Sequence, residues 1–233
     1  MKKLLWIMIC CCVLVPAVLG GCKSGGSAEA AADPRKATLA ENLTADPKSE
    51  FPFRFEGFRW LETKDNVMQV IRSRGISEDK IEEIVIGSSS EAESTVYVST
   101  REKNPFQAYR AGEMVTVYEF GRRNGSEPYK LVSGNYYFIE PDEDTKKADC
   151  AVAAKELAAL PGLPEGETIT PDKKSIWFVP ITRDGEQGRE GVAVFCPVMK
   201  MPALNTSLAG EGEILFSAGV ALGQEELQRL TGK

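Results

Sequence analysis

Hydrophobic and polar positions follow a different rule in each part of this chain. Leu4 to Leu19 is an almost unbroken apolar run behind Lys2 and Lys3, shorter than the roughly 20 residues that cross a bilayer as a helix and interrupted by Pro16. A positive start, an apolar stretch and the small residues Gly20 and Gly21 form the pattern of an export signal, so residues 1–21 are expected to be cleaved. From Lys23 to about Glu50 the chain is rich in Gly, Ser, Ala, Asp and Pro. Few large apolar residues remain there to offset the entropy of ordering. Residues 22–50 are therefore expected to be a tether, with an end-to-end distance on the order of 30 Å.

Regular patterning begins at Phe51. Phe51, Phe53 and Phe55 alternate with Pro52, Arg54 and Glu56, the period of two of a half-buried strand whose aromatic row faces the core. Val67, Val70 and Ile71 recur at helical spacing, with Thr63 as N-cap and Gly75 as terminator. A second helix is expected next, capped by Ser77, fronted by Glu78 and Asp79 and striped by Ile81, Ile84 and Val85 before Gly87. The runs STVYVST, EMVTVYEFG and YKLVSGNYYFIE predict three strands of a meander, the last two joined through Asn124-Gly125. A helix opens at Asp142 to Lys147, carries Val152, Leu157 and Leu160, and stops at PGLP. Beyond it SIWFVPI, GVAVFCPV and EILFSAG predict strands, with Asp184-Gly185 as a turn, and GQEELQRL predicts a closing helix. The fold class is α+β, an antiparallel sheet packed against a few short helices. Residues 51–233 form the globular domain, and the order of elements suggests two related halves, 51–140 and 141–233.

Composition narrows the partners. Of 28 basic and 34 acidic residues the signal removes only Lys2 and Lys3, leaving a mature formal charge of −8. That balance argues against nucleic acid, which requires basic clusters. Among the six cysteines, Cys10, Cys11 and Cys12 leave with the signal, and only Cys150 and Cys196 lie in the folded part. In an oxidising compartment they are a candidate disulfide pair, and two buried thiols are the alternative.

Leu19-Gly20-Gly21-Cys22 resembles the lipobox of bacterial lipoproteins, an aliphatic residue and two small residues before a cysteine. The resemblance implies cleavage between Gly21 and Cys22, a thioether diacylglycerol on Cys22 and an acylated amino group. Together these chains hold a protein to a bilayer firmly. Lys23 stands where some bacteria place an inner-membrane retention aspartate, so the resemblance favours the outer membrane, facing the periplasm. The stretch FEGFRWLETKDNVMQVIRSRG, through Gly57, Thr63, Val67 and Gly75, resembles small envelope domains of the outer-membrane-assembly-lipoprotein and β-lactamase-inhibitor-like group. That resemblance implies two short helices, antiparallel strands and a binding or scaffolding role without catalysis.

Candidate chemistry is sparse. The absence of histidine removes Ser-His-Asp and Cys-His catalysis and most zinc sites. Ser77-Glu78-Asp79-Lys80 spells the S-x-x-K of penicillin-recognising enzymes, yet the companion S-D-N and K-T-G motifs are missing. Glu140, Asp142, Glu143 and Asp144 could attract calcium, but they lack EF-hand spacing and suit a helix N-terminus without metal. Neither nucleotide-binding glycine motif is present, so no metal, cofactor or catalytic residue is predicted. Glu113, Glu119 and Glu140 lie in or beside strands and are the acids that a fold could bring together for carboxylate hydrolysis. The expected function is a lipid-anchored, non-catalytic module binding an envelope protein or polymer at an exposed sheet edge. A carboxylate hydrolase of cell-wall or exported polymer and an inhibitor of a periplasmic hydrolase are the alternatives.

Overall fold

The three longest β-branched and aromatic runs become the middle of a sheet. The computed structural model describes residues 35–45, 51, 53–87, 94–122, 125–160, 176–179, 182–183, 186–187, 192–198, 206–210 and 212–231, all within one compact unit, Ala31–Lys233. Strands β1 (Ile81–Gly87), β2 (Ser94–Lys103), β3 (Glu113–Arg122) and β4 (Lys130–Glu140) form an antiparallel meander. Further on, β5 (Ile176–Val179), β8 (Val192–Val198) and β9 (Ile214–Leu222) pair antiparallel, while β6 (Thr182–Arg183) and β7 (Glu186–Gln187) make a separate small hairpin. The predicted turn residues Asp184 and Gly185 lie outside the described residues, although Arg183 and Glu186 pair on either side of them.

The large sheet has seven strands in the order β1-β2-β3-β4-β9-β8-β5. The expected halves thus share one sheet, each running from an outer edge inward, and their last strands β4 and β9 meet antiparallel from Ser133↔Ala221 to Glu140↔Ile214. The register sets one core face, with rows such as Val98–Tyr118–Gly134 and Thr100–Thr116–Tyr136 running across the strands. Helices α1 (Leu39–Leu43), α2 (Lys64–Ser73) and α3 (Glu143–Ala158) pack on that face, contributing Leu39, Leu43, Val67, Ile71, Ala153 and Leu157 to the same apolar cluster as Phe120, Phe138 and Phe216. The C-terminal helix α4 (Gln224–Thr231) adds Leu227 at its margin. On the opposite face Val115, Val117 and Tyr137 are covered in part by Leu208 and Ala209. This two-layer α+β arrangement is the predicted fold class.

Three expectations are corrected. The second helix is only a 3-10 turn, Glu78–Lys80, followed by β1. Ser77 makes no capping bond, and Ile81, Ile84, Val85 and Ile86 follow the strand preference of β-branched side chains. The aromatic segment is not a regular strand either. Phe53 and Phe55 are buried as the alternation predicts, but Phe53 makes a single bridge to Thr44. Phe55 bridges Phe58 across a tight turn in which Glu56 (φ 51°) and Gly57 (φ 76°) are left-handed. The amides of Arg54 and Glu56 are used to satisfy the end carbonyls of α1, Leu43 (3.1 Å) and Asn42 (2.8 Å).

The third correction follows from the second, because α1 lies within the stretch expected to be a tether. Thr38 and Glu41 form a capping box, the Thr38 hydroxyl accepting the Glu41 amide at 3.2 Å and the Glu41 carboxylate accepting the Thr38 amide at 3.2 Å. Leu39 and Leu43, four residues apart, are fully buried. The folded part therefore starts by Arg35, ahead of Phe51. Replacing Thr38 with alanine should lower stability by about 1 kcal/mol in chemical denaturation. A free tether at this position would give no change.

Candidate functional site

The β1 edge is built by the turn before it and braced at its start. At its start, the carboxylate of Glu82 accepts the Thr206 hydroxyl (2.6 Å), the Ser207 amide (2.7 Å) and the Ser207 hydroxyl (2.6 Å). Burial alone would raise the Glu82 carboxyl, but the Ser207 and Thr206 bonds outweigh it and the group sits below the usual range. Lys64 of α2 reaches Glu83 at 2.7 Å. Beyond Glu83 no side-chain bond from another described residue braces the strand. Val85 is 60% exposed and Ile86 45%, the exposed large apolar side chains among the described residues, and they point to opposite faces of an end strand. Such an edge presents backbone donors and acceptors together with apolar grip on both faces, which is what an added strand requires.

The acids singled out from the sequence are scattered. Glu113 pairs with Arg101 at 2.6 Å on the sheet surface. Glu119 accepts a long bond from the Tyr97 hydroxyl (3.4 Å), and burial pushes its carboxyl up. Glu140 is 4% exposed at the end of β4. Asp142 is the N-cap of α3, accepting the Thr145 amide at 2.7 Å, and Glu143 and Asp144 follow it in the exposed first turn. Asp142 and its neighbours thus act as helix-start residues. Among the described residues no group of three or more His, Cys, Asp or Glu could hold a metal. Ser77 and Lys80 share only a backbone bond, Lys80 N–H to the Ser77 carbonyl at 2.9 Å. Cys150 is a free thiol fully buried on α3 and pushed up to about 12 by burial. The side chain of Cys196 lies outside the described residues, as do Gly21 and Cys22. So at Cys150 the structure has the buried thiol and not the half-cystine.

Two features had no counterpart in the sequence reading. Glu56, placed there on the exposed side of a strand, is fully buried. Its Oε2 accepts from Arg74 Nη2 (2.6 Å) and the Tyr118 hydroxyl (2.6 Å), and its Oε1 from the Tyr136 hydroxyl (3.0 Å), while Arg74 Nη1 donates to Tyr118 at 2.6 Å. Burial first, and then the neighbouring Glu56 charge, hold the Tyr136 phenol well above its usual range. Burial does the same for Tyr118 against the opposing pull of Arg74. Nothing in a lone Glu-Gly pair signals this, because the left-handed turn that swings Glu56 inward is a tertiary choice.

Nearby, Arg35 pairs with Glu102 at 2.6 Å, each side chain 11% exposed, and burial raises the Glu102 carboxyl against the pull of Arg35. Arg35 and Lys36 also line a cleft of about 360 Å³ with Ala37, Pro105 and Gln107. Among the described residues its lining has two cationic side chains and no carboxylate, which is not the pair of facing acids of a glycosidase. Compared with family models, curated proteins and solved structures, the chain has no match.

Proposed function

We propose that this chain is a lipid-anchored binding module of the cell envelope, held by acylated Cys22 and taking an extended segment of a partner protein along the outer edge of β1. The single observation that supports the reading is the end strand itself, on which Val85 and Ile86 stand exposed beyond the braced Glu82 and Glu83. Soluble proteins usually blunt such an edge with lysine, proline or a bulge, and β1 has none of these between Ile84 and Gly87. At the start of β1 the charges are mixed, Glu78 pairing with Arg72 at 3.7 Å and Asp79 standing beside Lys80. The partner segment accordingly carries apolar residues that meet Val85 and Ile86, and backbone bonds along the edge supply affinity.

A photo-crosslinking residue at Ile86 of the full-length chain, activated in intact envelopes, tests the reading. One discrete protein partner is expected, and Val85→Lys should reduce its yield at least tenfold without lowering the melting temperature. Recovery of only a second copy of this chain, or an equal yield from Val85→Lys, would overturn it. The anchor is tested separately by Cys22→Ser, which should move the protein from the membrane to the soluble extracytoplasmic fraction. Unchanged membrane recovery of that variant would remove the lipid from the proposal.

A further inference from the structure

Where β4 ends and α3 begins, the fold brings two carboxyl groups together out of reach of water. Glu140 is 4% exposed and Asp149 1%. Asp149 Oδ2 accepts the backbone N–H of Arg110 (2.5 Å) and of Ala111 (3.1 Å), both in the connection between β2 and β3. That connection also carries Phe106 and Tyr109. Tyr109 stacks on Phe138 with ring centres 4.7 Å apart, and Phe106 meets Tyr136 edge-on at 5.2 Å. Asp149 is thus the polar anchor of an aromatic loop laid over the sheet.

Glu140 faces Asp149 at hydrogen-bonding range, yet with both groups ionised neither Glu140 oxygen has a donor. Two carboxylates are acceptors only, so the contact is repulsive when both are charged and a short O–H···O bond when one carries a proton. Among the described residues the other charged or titratable groups around the pair do not supply that donor. Lys146 of α3 has its ammonium at Glu143, 3.3 Å away. Asp142 is engaged as the α3 N-cap, and the Cys150 thiol is kept neutral by burial. Arg110 contributes its backbone amide, and across the seam β9 presents the apolar Ile214.

We propose that a single proton held between Glu140 and Asp149 clamps the β2–β3 loop to α3, and that its loss loosens the loop. The proton resides on Glu140 and is donated to Asp149, whose Oδ2 keeps the two loop amides. Burial, and then the Asp149 charge, raise the Glu140 carboxyl to about 7. A carboxyl raised in the closed form holds that form most firmly below the ordinary carboxylate range. The hold is lost as pH rises through the raised value.

Hydrogen exchange on the full-length chain reads this directly at the amides of Arg110 and Ala111. Their protection factors should fall up to about tenfold per pH unit between about pH 5 and pH 7 and level off above. Glu140→Gln, whose amide donates at every pH, should abolish the slope. A flat profile in the unsubstituted protein, or the same slope in Glu140→Gln, would overturn the proposal. Should that variant fail to fold, carbon-13 titration of Glu140 in the unsubstituted chain decides. A midpoint near neutrality supports the clamp, and one in the ordinary carboxylate range refutes it.

Discussion

Replacing Glu56 with alanine should destabilise the fold by about 3–5 kcal/mol, the cost of removing one member of a buried ion pair. Arg74 has 1% of its side chain exposed and Glu56 none, so the guanidinium left behind has no water to turn to. The loss also strips the Tyr118 and Tyr136 hydroxyls of their acceptor beneath the central strands. Urea denaturation measures it, with an unchanged slope showing that the variant still unfolds as one unit. Converting the pair together, Glu56→Leu with Arg74→Met, should recover much of the loss, because well-packed apolar residues replace a desolvated ion pair at little net cost. A Glu56→Ala variant within 1 kcal/mol of the parent would mean that the pair is solvated in solution.

The second large effect is expected at Gly134, in the middle of β4. A Cβ built there falls inside the ring of Phe55. The ring has little room to retreat. It lies 4.7 Å from Tyr136 and 5.5 Å from Tyr118, and its backbone enters the left-handed turn at Glu56 and Gly57. Gly134→Ala should therefore cost about 1–3 kcal/mol or more through overpacking, against the usual gain from replacing a strand glycine. If the clash is the cause, Phe55→Leu will be less damaging in the Gly134→Ala background than alone, a coupling that a double-mutant cycle measures. Additive losses would place the cause elsewhere.

Both positions show which parts of the fold can be read from residues alone. Composition sufficed for β2, β3 and β4, which are β-branched and aromatic runs, although Asn124 of the Asn-Gly turn signal lies outside the described residues, and for α3, whose Asp142 cap and buried Leu157 agree with its Ala-rich body. Such signals failed where local and tertiary preferences diverge. Ser77-Glu78-Asp79 is a sound helix start, yet the four β-branched residues after it had a free edge at β2 to join, and pairing won. The Arg35–Ala45 segment was judged by average composition, which hides two leucines spaced for a single turn and an asparagine, Asn42, that bonds the Lys36 and Thr38 carbonyls at 2.9 and 2.7 Å. The proposed binding edge is legible in the sequence as a kind of surface but not as a place, because Ser77 to Gly87 carries the pattern of a helix. The Glu140–Asp149 contact could not be foreseen, because register and helix rotation together create it.

The β4–β9 seam has a consequence for how the chain is made. β4 ends at Glu140, but its second neighbour is supplied only at Ile214–Leu222, more than seventy residues later. Until β9 emerges, a strand carrying Tyr136, Tyr137 and Phe138 stands without its second neighbour, and closing the sheet requires a loop of more than seventy residues to be gathered first. Any product truncated before Ile214 would carry a sticky flank along β4, so the integrity of the sheet is decided late, by β9.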